Sequence, residues 1–224
     1  MDKVMLITGA SSGIGEATAR LAAKQGMRLI LTARSADKLN SLVNELGRDQ
    51  TMAVPADATA PEELEQVIKA GIDRFGRLDV AFANAGTGVE HPGVEKGAPQ
   101  EWRKMIDVNV MALLYTAKYA LPHLHQSRGQ FILTASAAGR RALKGSVYGA
   151  SKWFAYGFGQ NLAEEMAEWQ GRCTTICPGM VNTPFFDEPK PGKLAAEDVA
   201  DAVLHAINAD PRNNVREIFL MPND

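Results

Sequence analysis

Short apolar runs alternate with longer amphipathic segments along the whole chain. Apolar runs of this length, bounded by turn residues, are typical of strands that are buried on both faces. The runs predicted to be strands are Lys3–Thr8, Met27–Ala33, Met52–Pro55, Leu78–Ala83, Phe131–Ala135, Cys173–Cys177 and Glu217–Met221.

The segments between these runs have helical periodicity. Ile14, Ala17 and Leu21, for example, recur at the spacing of one helix face. Ser35 is an expected N-cap, and Pro122 is expected to bend or end the first of two long helices. The predicted helices are Gly13–Gln25, Ser35–Leu46, Pro61–Phe75, Pro99–His123, Ser146–Gln170 and Ala196–Ala209.

This alternation predicts an α/β fold with a parallel sheet covered by helices on both faces. With 224 residues, the chain is long enough for one well-buried domain of this type and short for two. It contains no internal repeat and no linker-like segment. We therefore expect a single Rossmann-like, doubly wound domain over residues 1–224, with about seven strands.

Composition and charge narrow the classes of partner and location. The net charge of −2 gives no electrostatic reason to expect nucleic acid or an anionic membrane as partner. No uncharged apolar stretch approaches the roughly 20 residues of a membrane helix, and the N-terminus lacks signal-peptide features. Cys173 and Cys177 are interpreted as reduced core residues on one strand face, with a redox role as the alternative. These observations favour a cytoplasmic protein, and the four histidines show no metal-ligand spacing.

A glycine-rich turn joins the first predicted strand to the first helix, in the order Thr8-Gly9-Ala10-Ser11-Ser12-Gly13-Ile14-Gly15. Glycines let the backbone approach a pyrophosphate closely, and a helix N-terminus offers unpaired N–H donors to that anion. A purely structural turn is the alternative. The candidate phosphate-binding residues are Gly9, Ser11, Ser12, Gly13, Ile14 and Gly15.

Tyr148 and Lys152 are four residues apart on the second long helix and therefore share one helix face. A nearby ammonium stabilises a phenolate and lowers the pKa of a tyrosine, so the pair is a sensible acid/base device. Ser136 follows the strand Phe131–Ala135, and the carboxyl ends of strands face the ligand crevice in such sheets.

These motifs together resemble the short-chain dehydrogenase/reductase family, whose signatures are Thr-Gly-x-x-x-Gly-x-Gly and Tyr-x-x-x-Lys. The resemblance extends over nearly the whole chain. It implies hydride transfer between a nicotinamide cofactor and a carbonyl or alcohol, with Ser136, Tyr148 and Lys152 as catalytic residues. Asn109, in Asp107-Val108-Asn109-Val110, matches the fourth catalytic position. A buried structural asparagine is the alternative for Asn109.

The resemblance also implies further cofactor contacts at the ends of strands. Asp57 matches a residue that contacts the adenine ring, and a helix-capping or turn aspartate is the alternative, nearly as well supported. Tyr148 and Lys152 would also contact the cofactor. The remaining implied cofactor-binding residues are Asn84, Ala85, Gly86, Pro178, Gly179, Val181 and Thr183.

The residues after the second strand bear on the choice of cofactor. Enzymes that use NAD generally have an acidic residue there, whereas this chain has Ala33 followed by Arg34. An arginine suits the 2′-phosphate of NADP(H), so we expect NADP(H) as cofactor. Ser12 stands where relatives that use NADP often have a second basic residue, which weakens this preference.

These features predict an NADP(H)-dependent carbonyl reductase of broad specificity. A non-catalytic NADP(H)-binding regulator is the alternative, and an epimerase or dehydratase is a third possibility. The short, proline-rich segment after Thr183 predicts an open pocket bordered by Met180, Phe185 and Phe186. The family resemblance implies a homodimer or homotetramer built on the two long helices. The apolar residues expected at this interface are Leu113, Leu114, Tyr115, Phe154, Phe158 and Leu162.

Overall fold

The structure, a computed structural model, describes residues 3–91 and 93–223. The start of the chain at Met1 and Asp2 lies outside the described residues, as do Pro92 and Asp224. The prediction about the N-terminus and the full range 1–224 therefore fall partly on residues that are not described.

Seven parallel strands form one sheet in the order β3-β2-β1-β4-β5-β6-β7. This confirms the predicted doubly wound architecture, whose strand order reverses direction between β1 and β4. The strands are β1 (Val4–Thr8), β2 (Arg28–Thr32), β3 (Thr51–Ala53), β4 (Val80–Ala83), β5 (Gln130–Thr134), β6 (Arg172–Pro178) and β7 (Glu217–Leu220).

Helices cover both faces of the sheet and enclose two apolar cores. One core contains side chains of α1, α2 and α7, and the other contains side chains of α3, α5 and α6. The helices are α1 (Gly13–Lys24), α2 (Ala36–Leu46), α3 (Pro61–Phe75), α4 (Pro99–Ile106), α5 (Ala112–Ser127), α6 (Val147–Ala167) and α7 (Ala196–Asn208). A 3₁₀ turn, Ala137–Gly139, follows β5.

The first long helix is interrupted by a π-helical segment, Asp107–Met111, between α4 and α5. The alternative that Pro122 ends this helix is wrong, because α5 continues to Ser127. A proline removes one intrahelical hydrogen bond. Ala120 and Leu124 on either side of it are fully buried, and this packing holds the helix together.

Two local predictions need correction. Ser35 lies at the N-cap of α2 as predicted, but its side chain makes no capping hydrogen bond. Leu113 and Leu162 are buried in the core of the protomer, since both long helices pack inward on the sheet. These two leucines are therefore unavailable to a partner subunit, whereas Trp153 and Phe154 of α6 are exposed.

Cys173 and Cys177 are free and buried in the same core, which agrees with their interpretation as reduced residues on one strand face. Burial raises the pKa of both thiols, that of Cys177 to about 11. Thiols in this state are protonated at neutral pH, and the thiolate is the reactive form. The redox alternative therefore has no support in the geometry.

Two glycines of α6 provide a test of how tightly this helix packs on the sheet. A Cβ atom on Gly159 would lie 2.2 Å from Thr175 Oγ1 of β6, whereas Gly157 has nothing within 4 Å. We expect Gly159→Ala to lower the free energy of unfolding by about 1–3 kcal/mol, because the helix must move off the sheet. The matched variant Gly157→Ala should be neutral or stabilising by up to about 1 kcal/mol. Chemical denaturation measures both, and equal stabilities would contradict the close approach.

Candidate active site

A cleft of about 820 Å³ crosses the carboxyl ends of the strands, at the edge where open α/β sheets bind ligands. It brings together residues that are far apart in the sequence. The predicted site residues that line it are Gly9, Ser11, Ser12, Gly13, Ile14, Arg34, Asp57, Asn84, Ala85, Gly86, Ser136, Tyr148, Lys152, Pro178, Gly179, Val181 and Thr183.

The glycine-rich turn forms one wall of this cleft. Gly9 and Gly13 have left-handed φ angles of 65° and 56°, which glycine adopts without strain. Ser12 is the N-cap of α1, but its side chain makes no capping hydrogen bond. The first-turn N–H groups of α1 are therefore not capped by this serine. Such a turn fits a pyrophosphate group.

Two predicted site residues, Gly15 and Asn109, do not line the cleft. A Cβ atom on Gly15 would lie 2.3 Å from the Gly9 carbonyl oxygen, so Gly15 lets α1 pack directly beneath the turn. Its position supports the turn from below, which is a packing function of the third glycine in such motifs.

Asn84 connects the turn to the centre of the sheet. Its Nδ2 atom donates to the carbonyl oxygens of Thr8 and Gly9 at 3.2 and 3.4 Å. Its Oδ1 atom accepts a hydrogen bond of 3.1 Å from Thr134 Oγ1. The Thr8 hydroxyl in turn accepts from the backbone N–H groups of Asn84 and Ala85. This network fixes the carboxyl ends of β1, β4 and β5 relative to one another.

Ser136 and Tyr148 lie together deeper in the cleft. Ser136 Oγ accepts from the Ala138 N–H at 3.1 Å and donates to the Pro178 carbonyl at 3.4 Å. Burial raises the pKa of the Tyr148 phenol above its ordinary value, and a hydrogen bond with Ser136 partly opposes this effect. The phenol is therefore protonated at neutral pH and can donate a proton.

Lys152 is almost completely buried, and its Nζ atom donates a hydrogen bond of 3.0 Å to the Thr134 carbonyl. This nitrogen lies 5.9 Å from the centre of the Tyr148 ring. Burial lowers the pKa of Lys152 from 10.5 to about 8. The expected lowering of the Tyr148 pKa by Lys152 is therefore wrong for this arrangement, because burial raises this pKa and the opposing effect comes from Ser136.

Asn109 is buried within the π segment and contacts residues next to the cleft without lining it. Its Oδ1 accepts from the Thr87 N–H at 2.8 Å, and its Nδ2 donates to the Thr87 carbonyl at 2.9 Å. The same Nδ2 donates to Ser151 Oγ at 3.1 Å, and Ser151 Oγ donates to the Tyr148 carbonyl at 2.7 Å. Asn109 thus makes the contacts expected of a buried asparagine whose role is structural. Sequence reasoning assigned Ser151 no role, because its partner is distant in the chain.

The opposite end of the cleft is basic. Arg34 and Lys38 both line it, together with Ser35 and Thr32. Thr32 Oγ1 is buried and has no hydrogen-bond partner among the described residues. The sequence identified Arg34 alone; Lys38 is missed by motif reasoning, although its spacing places it in the first turn of α2.

Asp57 lines this end of the cleft and also stabilises its own loop. Its Oδ1 atom accepts from the backbone N–H and the hydroxyl of Thr59, at 2.9 and 2.8 Å. These bonds, chiefly the one from the Thr59 N–H, hold the pKa of Asp57 below its ordinary value, and the charge of Arg34 adds to the effect. These contacts are those of an aspartate that stabilises a turn, and Asp57 also lines the cleft.

Two further features bear on the class of protein. Within residues 3–91 and 93–223, no cluster of three or more His, Cys, Asp and Glu side chains is arranged to hold a metal ion. In the same part of the chain, no helix combines the length and apolar character needed to span a membrane.

Comparisons with known proteins identify the family. A sequence model described as short chain dehydrogenase matches residues 3–193. An uncharacterized oxidoreductase of Staphylococcus aureus is 39% identical over 226 residues, covering 99% of this chain and 97% of the relative.

Solved structures agree with this match. An alcohol dehydrogenase of Thermococcus sibiricus, complexed with 5-hydroxy-NADP, is 32% identical with a TM-score of 0.92, covering 100% of this chain and 97% of that one. A 3-ketoacyl-(acyl-carrier-protein) reductase of Brucella melitensis, complexed with NADH, is 26% identical with a TM-score of 0.90, covering 99% and 97%. With the glycine turn, Ser136, Tyr148 and Lys152 assembled in one cleft, the chain belongs to the short-chain dehydrogenase family of oxidoreductases.

Proposed function

We propose that this oxidoreductase is a carbonyl reductase that uses NADP(H) and accepts a broad range of small apolar substrates. The observation that carries the proposal is the position of Ser136, Tyr148 and Lys152 in one cleft with the glycine turn. The cleft residues fit a dinucleotide, because an uncapped helix N-terminus lies at one wall and a basic group at one end.

Each catalytic side chain has a separate task. The nicotinamide, when bound, supplies the hydride. Tyr148 donates a proton to the carbonyl oxygen of the substrate, or removes the alcohol proton in the reverse direction. Ser136 donates a hydrogen bond to the same oxygen and orients it. The raised pKa of Tyr148 means that the phenol holds its proton at neutral pH, as a proton donor must.

Lys152 supplies positive charge on the face of α6 that carries Tyr148. Its charge stabilises any phenolate that forms on Tyr148 and is available to the ribose hydroxyls of the cofactor. Asn109 positions this pair through Ser151, whose hydroxyl bonds to the Tyr148 carbonyl. The catalytic function that the family resemblance implies for Asn109 stays a prediction.

The preference for NADP(H) rests on the N-terminus of α2. Ser35 leaves this helix end without a side-chain cap, and Arg34 and Lys38 add two positive charges beside it. Thr32, at the end of β2, lines the same part of the cleft. A helix N-terminus with two cations suits a phosphate group. Lys38 thus supplies the second basic residue that the glycine turn lacks.

The substrate class follows from the walls around Tyr148. Of the three residues predicted to border the pocket, Phe185 lies next to the Tyr148 ring and Phe186 packs on Phe185, whereas Met180 does not line the cleft. We therefore propose small aldehydes, ketones and diones as substrates.

Incubation with NADPH or NADH and a panel of chemically diverse carbonyls tests this proposal, with oxidation of the reduced cofactor followed by absorbance. A single substrate preferred about a thousandfold in kcat/KM, roughly 4 kcal/mol, would contradict broad specificity. Failure to turn over any carbonyl would instead favour the non-catalytic regulator.

A homodimer or homotetramer remains part of the proposal. Trp153 and Phe154 are adjacent on α6 and are 48% and 39% exposed, and contiguous exposed apolar side chains often mark protein interfaces. Sedimentation velocity at micromolar concentration would contradict the proposal if it showed monomer alone.

Tyr148→Phe tests the acid/base role, because it removes the hydroxyl and leaves the ring in place. We expect kcat to fall by about 10²–10⁴-fold while cofactor binding and thermal stability are retained. Tyr156→Phe is the matched control, since Tyr156 lies on the same helix and its hydroxyl bonds to Glu217 outside the cleft. Retention of most of the wild-type turnover by Tyr148→Phe would overturn the assignment.

Arg34→Ala tests the cofactor preference. We expect NADPH affinity to fall by about 1.5–3 kcal/mol and NADH affinity to change little, since only NADPH carries the 2′-phosphate. Lys38→Ala should act in the same direction with a smaller effect, because lysine makes no bidentate contact. Arg48→Ala, on an exposed arginine outside the cleft, is the control. Calorimetric titration that showed equal losses for both cofactors would contradict the role of Arg34.

Lys152→Met tests the cost of burying the ammonium. Folding lowers the pKa of Lys152 from 10.5 to about 8, so the charged form disfavours folding. This cost is fully present below about pH 8 and disappears as the pH rises through 10.5. We expect the inactive variant to be more stable at pH 7 by up to about 3 kcal/mol, and this gain should shrink above pH 8. Lys118→Met, at an exposed site on α5, should change stability by less than about 0.5 kcal/mol. A variant less stable than the wild type at pH 7 would contradict the burial cost.

A further inference from the structure

The Phe185 ring lies across the mouth of the cleft above Tyr148. The centres of the two rings are 5.8 Å apart, with the planes tilted by 54°. On its other side, the Phe185 ring meets the loop that follows β4, where its Cζ atom would lie 3.2 Å from a Cβ atom on Gly88. The pocket predicted to be open is therefore bridged by one side chain.

The Gly88 side of this bridge is held in place. The preceding residue, Thr87, has its N–H and its carbonyl group both bonded to the Asn109 amide, at 2.8 and 2.9 Å. Asn109 belongs to the buried π segment, so the backbone next to Gly88 is fixed to the core. The backbone of Gly88 does not have a left-handed φ angle, so a side chain there causes no backbone strain. The Phe185 ring is the group that a Cβ atom on Gly88 would meet.

The Phe185 side is anchored by its own chain segment. The Thr183 hydroxyl accepts from the Phe185 N–H at 3.4 Å, and the Thr183 carbonyl accepts from the Phe186 N–H at 3.2 Å. The base of the segment is closed where Val181 pairs with Leu194. The Phe186 ring packs edge-on against Phe185 at 5.2 Å. Phe185 is nevertheless 43% exposed, so part of its surface stays open to solvent although the ring has contacts on two sides.

We propose that Phe185 is the residue that determines substrate shape. Its ring, resting between Tyr148 and Gly88, admits carbonyl compounds whose substituent on that side is linear or flat and excludes those branched next to the carbonyl. An aromatic substituent gains by stacking on the exposed ring face. This inference rests on the proposed carbonyl reduction and adds a shape limit to its otherwise broad chemistry.

Phe185→Ala tests the proposal with butanone and its tert-butyl analogue pinacolone as substrates. Removal of the ring opens the space beside Tyr148, so the ratio of kcat/KM for pinacolone to that for butanone should rise by about tenfold or more. Phe219→Ala removes a comparably exposed phenylalanine from the β7 edge and should leave the ratio unchanged. An unchanged ratio in Phe185→Ala would overturn the proposal.

Gly88→Ala tests whether the bridge, and not the phenylalanine alone, sets the limit. The added methyl group meets the Phe185 ring at 3.2 Å, so the single variant should alter the pinacolone-to-butanone ratio. In the Phe185→Ala background the same methyl meets no ring, and its effect on the ratio should vanish. Additive effects in the double variant would show that the two residues do not act together.

A titration without substrate separates this inference from the proposed function. Burial raises the pKa of Tyr148, and Phe185 contributes part of the cover. In Phe185→Ala, ultraviolet titration of the phenol, with Tyr148→Phe as the blank, should give a lower pKa than in the wild type. An unchanged pKa would contradict the covering role. If the wild type reduced no carbonyl, the proposed function would fail. This titration would still test whether Phe185 covers the Tyr148 phenol.

Discussion

The side-chain amide of Asn84 holds the site together. It bonds to the Thr8 and Gly9 carbonyls on one side and to the Thr134 hydroxyl on the other. The Thr134 carbonyl in turn accepts a hydrogen bond from the Lys152 ammonium group. A chain of contacts through Asn84 and Thr134 therefore links the glycine turn to the buried lysine. Because the parallel sheet reverses its strand order between β1 and β4, this chain lies where the helices leave an open crevice.

The π segment performs a similar function on the other side of the cleft. An ordinary α-helix directs every backbone group along its own axis, whereas an inserted residue alters the direction of nearby side chains. Asn109 lies in this segment and bonds both to Thr87 and to Ser151. It thereby fixes the loop that carries Gly88 and the helix that carries Tyr148 relative to each other.

Lys152 and Tyr148 are two ionisable side chains whose burial costs free energy. Desolvation lowers the pKa of Lys152 and raises that of Tyr148, so both groups are pushed toward their neutral forms. A neutral phenol can donate a proton, and a lysine with a pKa of about 8 still keeps its charge at neutral pH. The site therefore combines a protonated phenol with a cation, and the remainder of the apolar core stabilises the fold against the burial of that cation.

The sequence by itself determined the family, the parallel sheet and the residues of the glycine-turn and Tyr-x-x-x-Lys motifs. These features depend on short spacings, such as the four residues between Tyr148 and Lys152, which backbone geometry converts directly into a shared face. The strand after which each motif residue stands also follows from the apolar pattern, because the carboxyl ends of parallel strands share one edge.

Only the tertiary structure decided what these residues contact. Asn109 and Ser151 are 42 residues apart, and their bond depends on how α6 packs against the π segment. The contact between Phe185 and Gly88 joins two loops with no shared motif, and Lys38 reaches the cleft because α2 begins beside Arg34. Burial also reversed the expected direction of the Tyr148 pKa. Local spacing carries no information about desolvation or long-range packing, since both depend on the whole folded chain.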